Sequence, residues 1–157
     1  MPYTYAYPRP AVTADILVFA DDGRSLLLIQ RGNDPYQGLW AFPGGFFDMS
    51  DTDIEHTAAR ELEEETGLAN IPLALVAVAS REGRDPRGRT VTVAFMADVN
   101  RQSVELRAGD DAKLAQWFPL DELPPLAFDH SEILEKALRA RHGEKPGSHE
   151  GTPANPT

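Results

Sequence analysis

The stretch from Gly44 to Leu68 carries the densest chemistry in the chain. Seven acidic residues fall between positions 51 and 65 (Asp51, Asp53, Glu55, Glu61, Glu63, Glu64 and Glu65), with Arg60 as the single fixed cation among them. On a helix turning ~100° per residue, Ile54, Ala58 and Leu62 make one apolar stripe. Glu61 and Glu65 fall on that stripe, within about 20° of Ile54, and Glu64 lies at its edge. Glu63 points the opposite way. Carboxylates drawn toward a buried face are costly unless a cation compensates them. Oxygen-only donors at i, i+3 and i+4 suit a hard divalent ion such as Mg²⁺ or Mn²⁺. For these residues taken alone, the plainer alternative is a solvated acidic helix with i,i+4 pairs such as Arg60–Glu64.

The helix that positions them is expected over about 53–66, with Thr52 and Glu55 as a capping box and Gly67-Leu68 as a Schellman stop. Residues 11–20 and 25–30 read as two strands joined by the turn Asp21-Asp22-Gly23-Arg24. Another short strand spans 39–42, and further strands lie near 73–81, 89–99 and 114–118. A closing helix covers about 129–141. From there the tail is almost free of apolar residues and is expected to be disordered, leaving a single domain over 1–141 and a polar tail over 142–157. Many strands with two helices in β-rich order predict an α+β domain, with helices packed on a mixed sheet.

At 157 residues the chain is most economically one domain with a real core. A net charge of −10, from 25 acidic and 15 basic residues, argues against a nucleic-acid polymer or an anionic membrane as partner. Phosphate substrates stay open, because bound divalent ions invert the local sign. The absence of cysteine removes disulfides, thiolate zinc sites and a Cys nucleophile. The first residues lack the pattern of a signal peptide, and Asp15 breaks the best apolar stretch, so no membrane span is expected and the setting is cytoplasmic.

With these residues in view, the run resembles the Nudix box, G-x5-E-x7-R-E-U-x-E-E-x-G-U, where U is a large aliphatic residue. Its second half matches as Arg60, Glu61, Leu62, Glu64, Glu65, Gly67 and Leu68. The first half departs from it: after five intervening residues from Gly45 stands Asp51 rather than Glu, and one extra residue precedes Arg60. The insertion falls in the loop before the helix, so the metal face downstream keeps its register. RGNDPYQGLWAFPGG (31–45), RDPRGR (84–89), GDDAKLAQWF (109–118) and LAFDHSEI (126–133) are similar to the ADP-ribose pyrophosphatase branch of that family. The resemblance covers most of residues 8–140 and implies the Nudix α/β/α sandwich.

It also implies roles for individual residues. Glu61, Glu64 and Glu65 would hold the metal, and Gly44 and Gly45 would let backbone approach a phosphate, the bland reading of the pair being a turn. Arg31, Arg84, Arg87 and Arg89 are candidate phosphate clamps, with Arg31 and Arg87 the strongest. Arg60 is expected to orient Glu64. Asp110 and Asp111 sit where members of this branch supply a base, Asp111 being the choice for the catalytic set; Gly-Asp-Asp is equally a turn. Phe128 has two readings, base stacking or core anchor; Asp129 or His130 would read an edge of the nucleoside, Asp129 being equally a helix N-cap. Trp40 and Trp117 are expected in the core. Tyr3, Tyr5 and Tyr7 alternate like one face of a strand, which either pairs with a second subunit in a homodimer or packs back on its own domain.

The implied activity is metal-dependent hydrolysis of a nucleoside diphosphate linked to another group, with ADP-ribose giving AMP and ribose 5-phosphate. A house-cleaning nucleoside triphosphate pyrophosphatase is the alternative within the class. A ligand-sensing Nudix-like module without catalysis is the alternative outside it. The intact run Arg60-Glu61-Leu62-Glu63-Glu64-Glu65, and a chain reaching only about 16 residues past the closing helix, set the expectation of an enzyme.

Overall fold

The computed structural model describes residues 2–107 and 112–143. β1 (Ala11–Ala20) and β2 (Ser25–Arg31) are joined through the tight loop at 21–24, where Asp21, Asp22 and Gly23 all take positive φ. The two strands pair only at Phe19↔Leu26 and Ala20↔Ser25 before diverging. Beyond that point β1 runs parallel to β6 (Thr90–Asp98) over nine residue pairs, from Ala11↔Thr90 to Phe19↔Asp98. β2 pairs antiparallel with β7 (Ala112–Pro119) and with β3 (Trp40–Ala41). β4 (Gly44–Phe46) pairs antiparallel with β1, and β5 (Ala74–Ala79) lies outside β6. The result is a mixed seven-stranded sheet.

Alternation along the central strands explains the layers. Ala14, Ile16 and Val18 of β1 pack with Ala58 and Leu62 of helix α1 (Ile54–Thr66). Leu17 and Phe19 point to the other face and pack with Ile133, Leu134 and Ala137 of helix α2 (His130–Arg141). Because successive side chains of a strand point to opposite faces, a strand covered on both sides must read as a continuous apolar run. That is why AVTADILVFA is apolar almost throughout, and the α/β/α arrangement expected from the sequence is the one observed. Trp40 and Trp117 are half-buried, each packed against one of the two core clusters.

Several local details differ from the sequence reading. Helix α1 is capped by Asp53, whose carboxylate accepts from the His56 N–H at 2.8 Å, and not by a Thr52–Glu55 box. Asp53 sits directly before the first helical residue, while Thr52 stands one position too early to reach the free N–H groups. At the other end Gly67, at φ +83°, donates its N–H to the Glu63 carbonyl, ending the helix in the left-handed conformation. Asp129 precedes α2 but makes no side-chain cap, because its carboxylate is engaged elsewhere. Tyr3, Tyr5 and Tyr7 lie in irregular chain and are exposed, with Tyr3 stacked on Tyr5 and Arg9 over the Tyr5 ring. Asp110, Asp111 and the tail from 144 onward lie outside the described residues.

Candidate active site

The site is a cleft of about 760 Å³, floored by β1, β4 and the inner face of α1. Arg60 occupies the hub of its acidic side. Its Nε and Nη2 donate to Asp51 Oδ1 and Oδ2 at 2.8 and 2.9 Å, a bidentate pair with the Asp51 side chain fully buried. Thr57 Oγ1 and the Asp48 N–H complete the shell around Asp51. The Arg60 bond holds the Asp51 carboxyl well below the usual carboxylate range, and Asp51 in turn raises Arg60. The extra residue of the first half of the box is thus absorbed in the loop at 48–53, from which Asp51 still reaches Arg60. Nη1 of Arg60 donates to Glu61 at 2.9 Å and to Glu64 at 3.3 Å. The arginine therefore orients Glu61 as well as the expected Glu64.

Glu61 and Glu65 sit one turn apart with their carboxylates in contact, Glu61 only 15% exposed and Glu65 deeper. Oε2 of Glu65 is buried with no hydrogen-bond partner. Burial, followed by the charges of Glu61 and Asp15, pushes the Glu65 carboxyl far above its ordinary value. Burial also raises Glu61, against the opposing pull of Arg60. Two desolvated carboxylates face to face, one with an unpartnered oxygen, form a donor set that a hard divalent cation satisfies. Glu64 stands at the rim, its side chain 57% exposed and leaning on Arg60. Among the described residues, no three carboxylate or imidazole groups are already gathered as a metal cage.

The two glycines of β4 are required by close approach. A Cβ on Gly44 would overlap the Ala14 carbonyl and Asp15, and one on Gly45 would overlap the Glu61 carboxylate. Both also line the cleft. Asp15, read in the sequence only as an interruption of β1, is buried beneath Gly44 and pairs with His130 Nε2 at 3.2 Å. His130 Nδ1 accepts the Phe42 N–H at 3.1 Å, and the Phe42 ring stacks on the imidazole at 4.4 Å. Both imidazole nitrogens are thereby used, so His130 is an anchor for Asp15 at the back of the cleft.

The opposite wall is cationic and aromatic. Arg31 lies 5.0 Å from the Phe128 ring centre, and Arg87 lies 5.4 Å from it and 4.8 Å from that of Phe46. Tyr36 meets Phe128 edge-on at 4.8 Å. Burial and the nearby Arg87 charge lower Arg31, with acidic neighbours opposing. Arg87 is held by Asp85 through Nη2 and Nε, which keeps the Asp85 carboxyl low despite its burial. Arg84, by contrast, spends its guanidinium on Asp129, Thr92 and Thr90, and is only 4% exposed. Asp129 is not part of the cleft lining; its carboxylate turns to Arg84. Of the residues singled out in the sequence, the cleft brings together Glu61, Glu64, Glu65, Gly44, Gly45, Arg31, Arg60, Arg87 and Phe128, with Arg84 at its border. His130, a candidate nucleoside contact in the sequence, also borders the cleft, and Asp15 and Phe46 join without having been assigned there.

The Nudix domain family matches residues 9–137. The chain belongs to the Nudix family. An ADP-ribose pyrophosphatase from Methanocaldococcus jannaschii is 43% identical over 137 residues, which cover 87% of this chain and 78% of that protein. An ADPR-responsive transcriptional repressor from Acinetobacter baylyi is 38% identical over 84% of this chain, which spans only 54% of the repressor. Among solved structures, the Nudix domain of Shewanella oneidensis NrtR complexed with ADP ribose superposes with a TM-score of 0.80 at 32% identity. That match covers 87% of this chain and 91% of the other.

Proposed function

We propose that this Nudix domain is a metal-dependent pyrophosphohydrolase that cleaves ADP-ribose to AMP and ribose 5-phosphate. The observation that carries the proposal is the meeting of Glu61 and Glu65, with its orphaned buried oxygen, across one cleft from Arg31 and Arg87. A pyrophosphate diester needs both: divalent charge on its bridging region and guanidinium forks on its outer oxygens. The cleft volume suits a nucleotide-sized ligand. The similarity to an ADP-ribose pyrophosphatase and to an ADP-ribose-bound Nudix domain supports the choice of substrate.

In this reading Glu61, Glu64 and Glu65 would hold Mg²⁺ or Mn²⁺. The ion, when bound, acidifies a water and neutralises charge on the phosphates. The chain's own residues do the rest. Arg60 keeps Glu61 aimed inward. Arg31 and Arg87 take the outer phosphate oxygens, and Phe128 offers a face to the nucleoside. Water adds to one phosphorus and the P–O bond to the bridging oxygen breaks, so each product carries one phosphate. Asp111 stays the proposed base from outside the box. One domain through residue 141 suffices for this, with a small nucleotide rather than a nucleic-acid polymer as partner, and a cytoplasmic setting. Among the described residues no helix is long and apolar enough to cross a membrane. The exposed Tyr3, Tyr5 and Tyr7 are the proposed contact if two copies pair.

A panel of nucleoside diphosphate and triphosphate substrates with Mg²⁺, products separated by chromatography, tests the proposal. ADP-ribose is expected to give AMP, and a chelator to abolish it. A much higher kcat/KM for a nucleoside triphosphate would install the house-cleaning alternative. Tight ADP-ribose binding without turnover would install the sensor, a reading favoured by the likeness to a repressor.

A further inference from the structure

Phe128 is strained. Its φ is +52°, a left-handed conformation that a bulky side chain holds only when its surroundings over-determine it. On one side Ala127 is tied to β3, its N–H donating to the Trp40 carbonyl at 2.7 Å. On the other side stands Asp129, bound bidentately by Arg84 at 2.8 and 2.9 Å. Arg84 Nη1 also donates to Thr92 Oγ1 at 2.6 Å, and Thr92 shares a hydrogen bond with Thr13 of β1 at 2.6 Å. The network therefore nails the segment carrying Phe128 to the loop carrying Arg87 and to the middle of the sheet. A buried ion pair is seldom worth more in stability than an apolar replacement, which directs attention to what this one positions.

We infer that Arg84 and Asp129 form a positioning pair that sets substrate affinity. They hold the Phe128 ring between Arg31 and Arg87, so that the wall opposite the carboxylates is pre-assembled before a nucleotide arrives. Neither residue touches the reacting atoms. Arg84 borders the cleft, but its guanidinium is occupied and buried, and Asp129 lies outside the cleft lining. Pre-assembly lowers the ordering penalty of binding and leaves the charge-stabilising carboxylates alone, so the pair acts on KM and not on kcat. The inference rests on the reading of the cleft as a nucleotide pyrophosphohydrolase site.

The test is a double-mutant cycle run with the nucleotide that the substrate panel selects, ADP-ribose being expected. Asp129→Asn should raise KM on the order of 10-fold, with kcat within about threefold of the wild type and the half-saturating Mg²⁺ concentration unmoved. In a Phe128→Ala background the same substitution should change KM by less than about twofold, because the residue it acts through is gone. Arg84→Lys, which keeps the charge and loses the fork, should repeat the pattern and serves if Asp129→Asn does not fold. Equal KM increases in both backgrounds, or a fall in kcat at constant KM, would overturn the inference. If another nucleotide proves to be the substrate, the choice of ADP-ribose falls while the cycle is run as before. If nothing is turned over, calorimetric binding of ADP-ribose in chelator replaces KM, with the same two outcomes.

Discussion

Gly45 and Glu61 cannot both have side chains in their present places: a Cβ on Gly45 would stand inside the Glu61 carboxylate. Gly44 is crowded differently, by the Asp15 carboxylate and also by backbone, the Ala14 carbonyl and the Asp15 Cα. The difference predicts opposite outcomes for two adjacent substitutions. In Gly45→Ala the clash is with the tip of a flexible side chain, which swings away. The fold should persist while kcat falls on the order of 10²-fold, as for a displaced reacting group. In Gly44→Ala the clash includes backbone, so β4 must part from β1 and the melting temperature should fall steeply. Thermal melts alongside steady-state assays separate the two.

The crowded carboxylates make metal-free stability fall with rising pH. Burial and neighbouring charge raise the Glu65 carboxyl well above its ordinary value of 4.5 in the folded protein. The unfolded chain loses that proton first, so the protonated pair's contribution is complete below about 4.5 and is lost as pH rises through the folded pKa. In chelator, Glu65→Gln should therefore melt higher than the wild type, by a margin that widens from pH 5 to pH 8. The stabilisation given by added Mg²⁺ should widen over the same range. A margin independent of pH would contradict this account.

His130 anchors two elements at once, and its removal should be felt mainly in stability. His130→Ala leaves the Phe42 N–H without its acceptor, leaves Asp15 without a partner, and opens a cavity beneath the Phe42 ring. The expected loss is about 3 kcal/mol in urea unfolding. A change of under 1 kcal/mol would show that the pocket refills at little cost.

Local periodicity made part of the site legible in advance. The wheel over α1 already separated Glu61 and Glu65 from Glu63, since it needs only helical spacing, and the structure leaves Glu63 exposed. β1 and β2 were legible for the same reason, as apolar runs around a turn. What was hidden depends on partners distant in the chain. Arg84 read as a phosphate clamp until Asp129, forty-five residues on, was found to occupy it. Asp15 read as a flaw in a strand because the His130 that explains it comes from the last helix. β4 went unread: three residues beginning Gly-Gly carry no strand signal, and only pairing with β1 makes them one.

The measurement that reaches the central claim most directly compares two glutamates of α1. Glu65 faces the cleft beside Glu61, whereas Glu63 is exposed on the far side. Glu65→Gln keeps size and hydrogen bonding but removes the charge a divalent ion requires. Steady-state kinetics with ADP-ribose and Mg²⁺ should show kcat falling on the order of 10²-fold or more for Glu65→Gln. For Glu63→Gln the change should stay below about threefold, as for a solvated surface group. Equal effects at the two positions would mean that α1 is only an acidic surface, and the metal-dependent mechanism would fall.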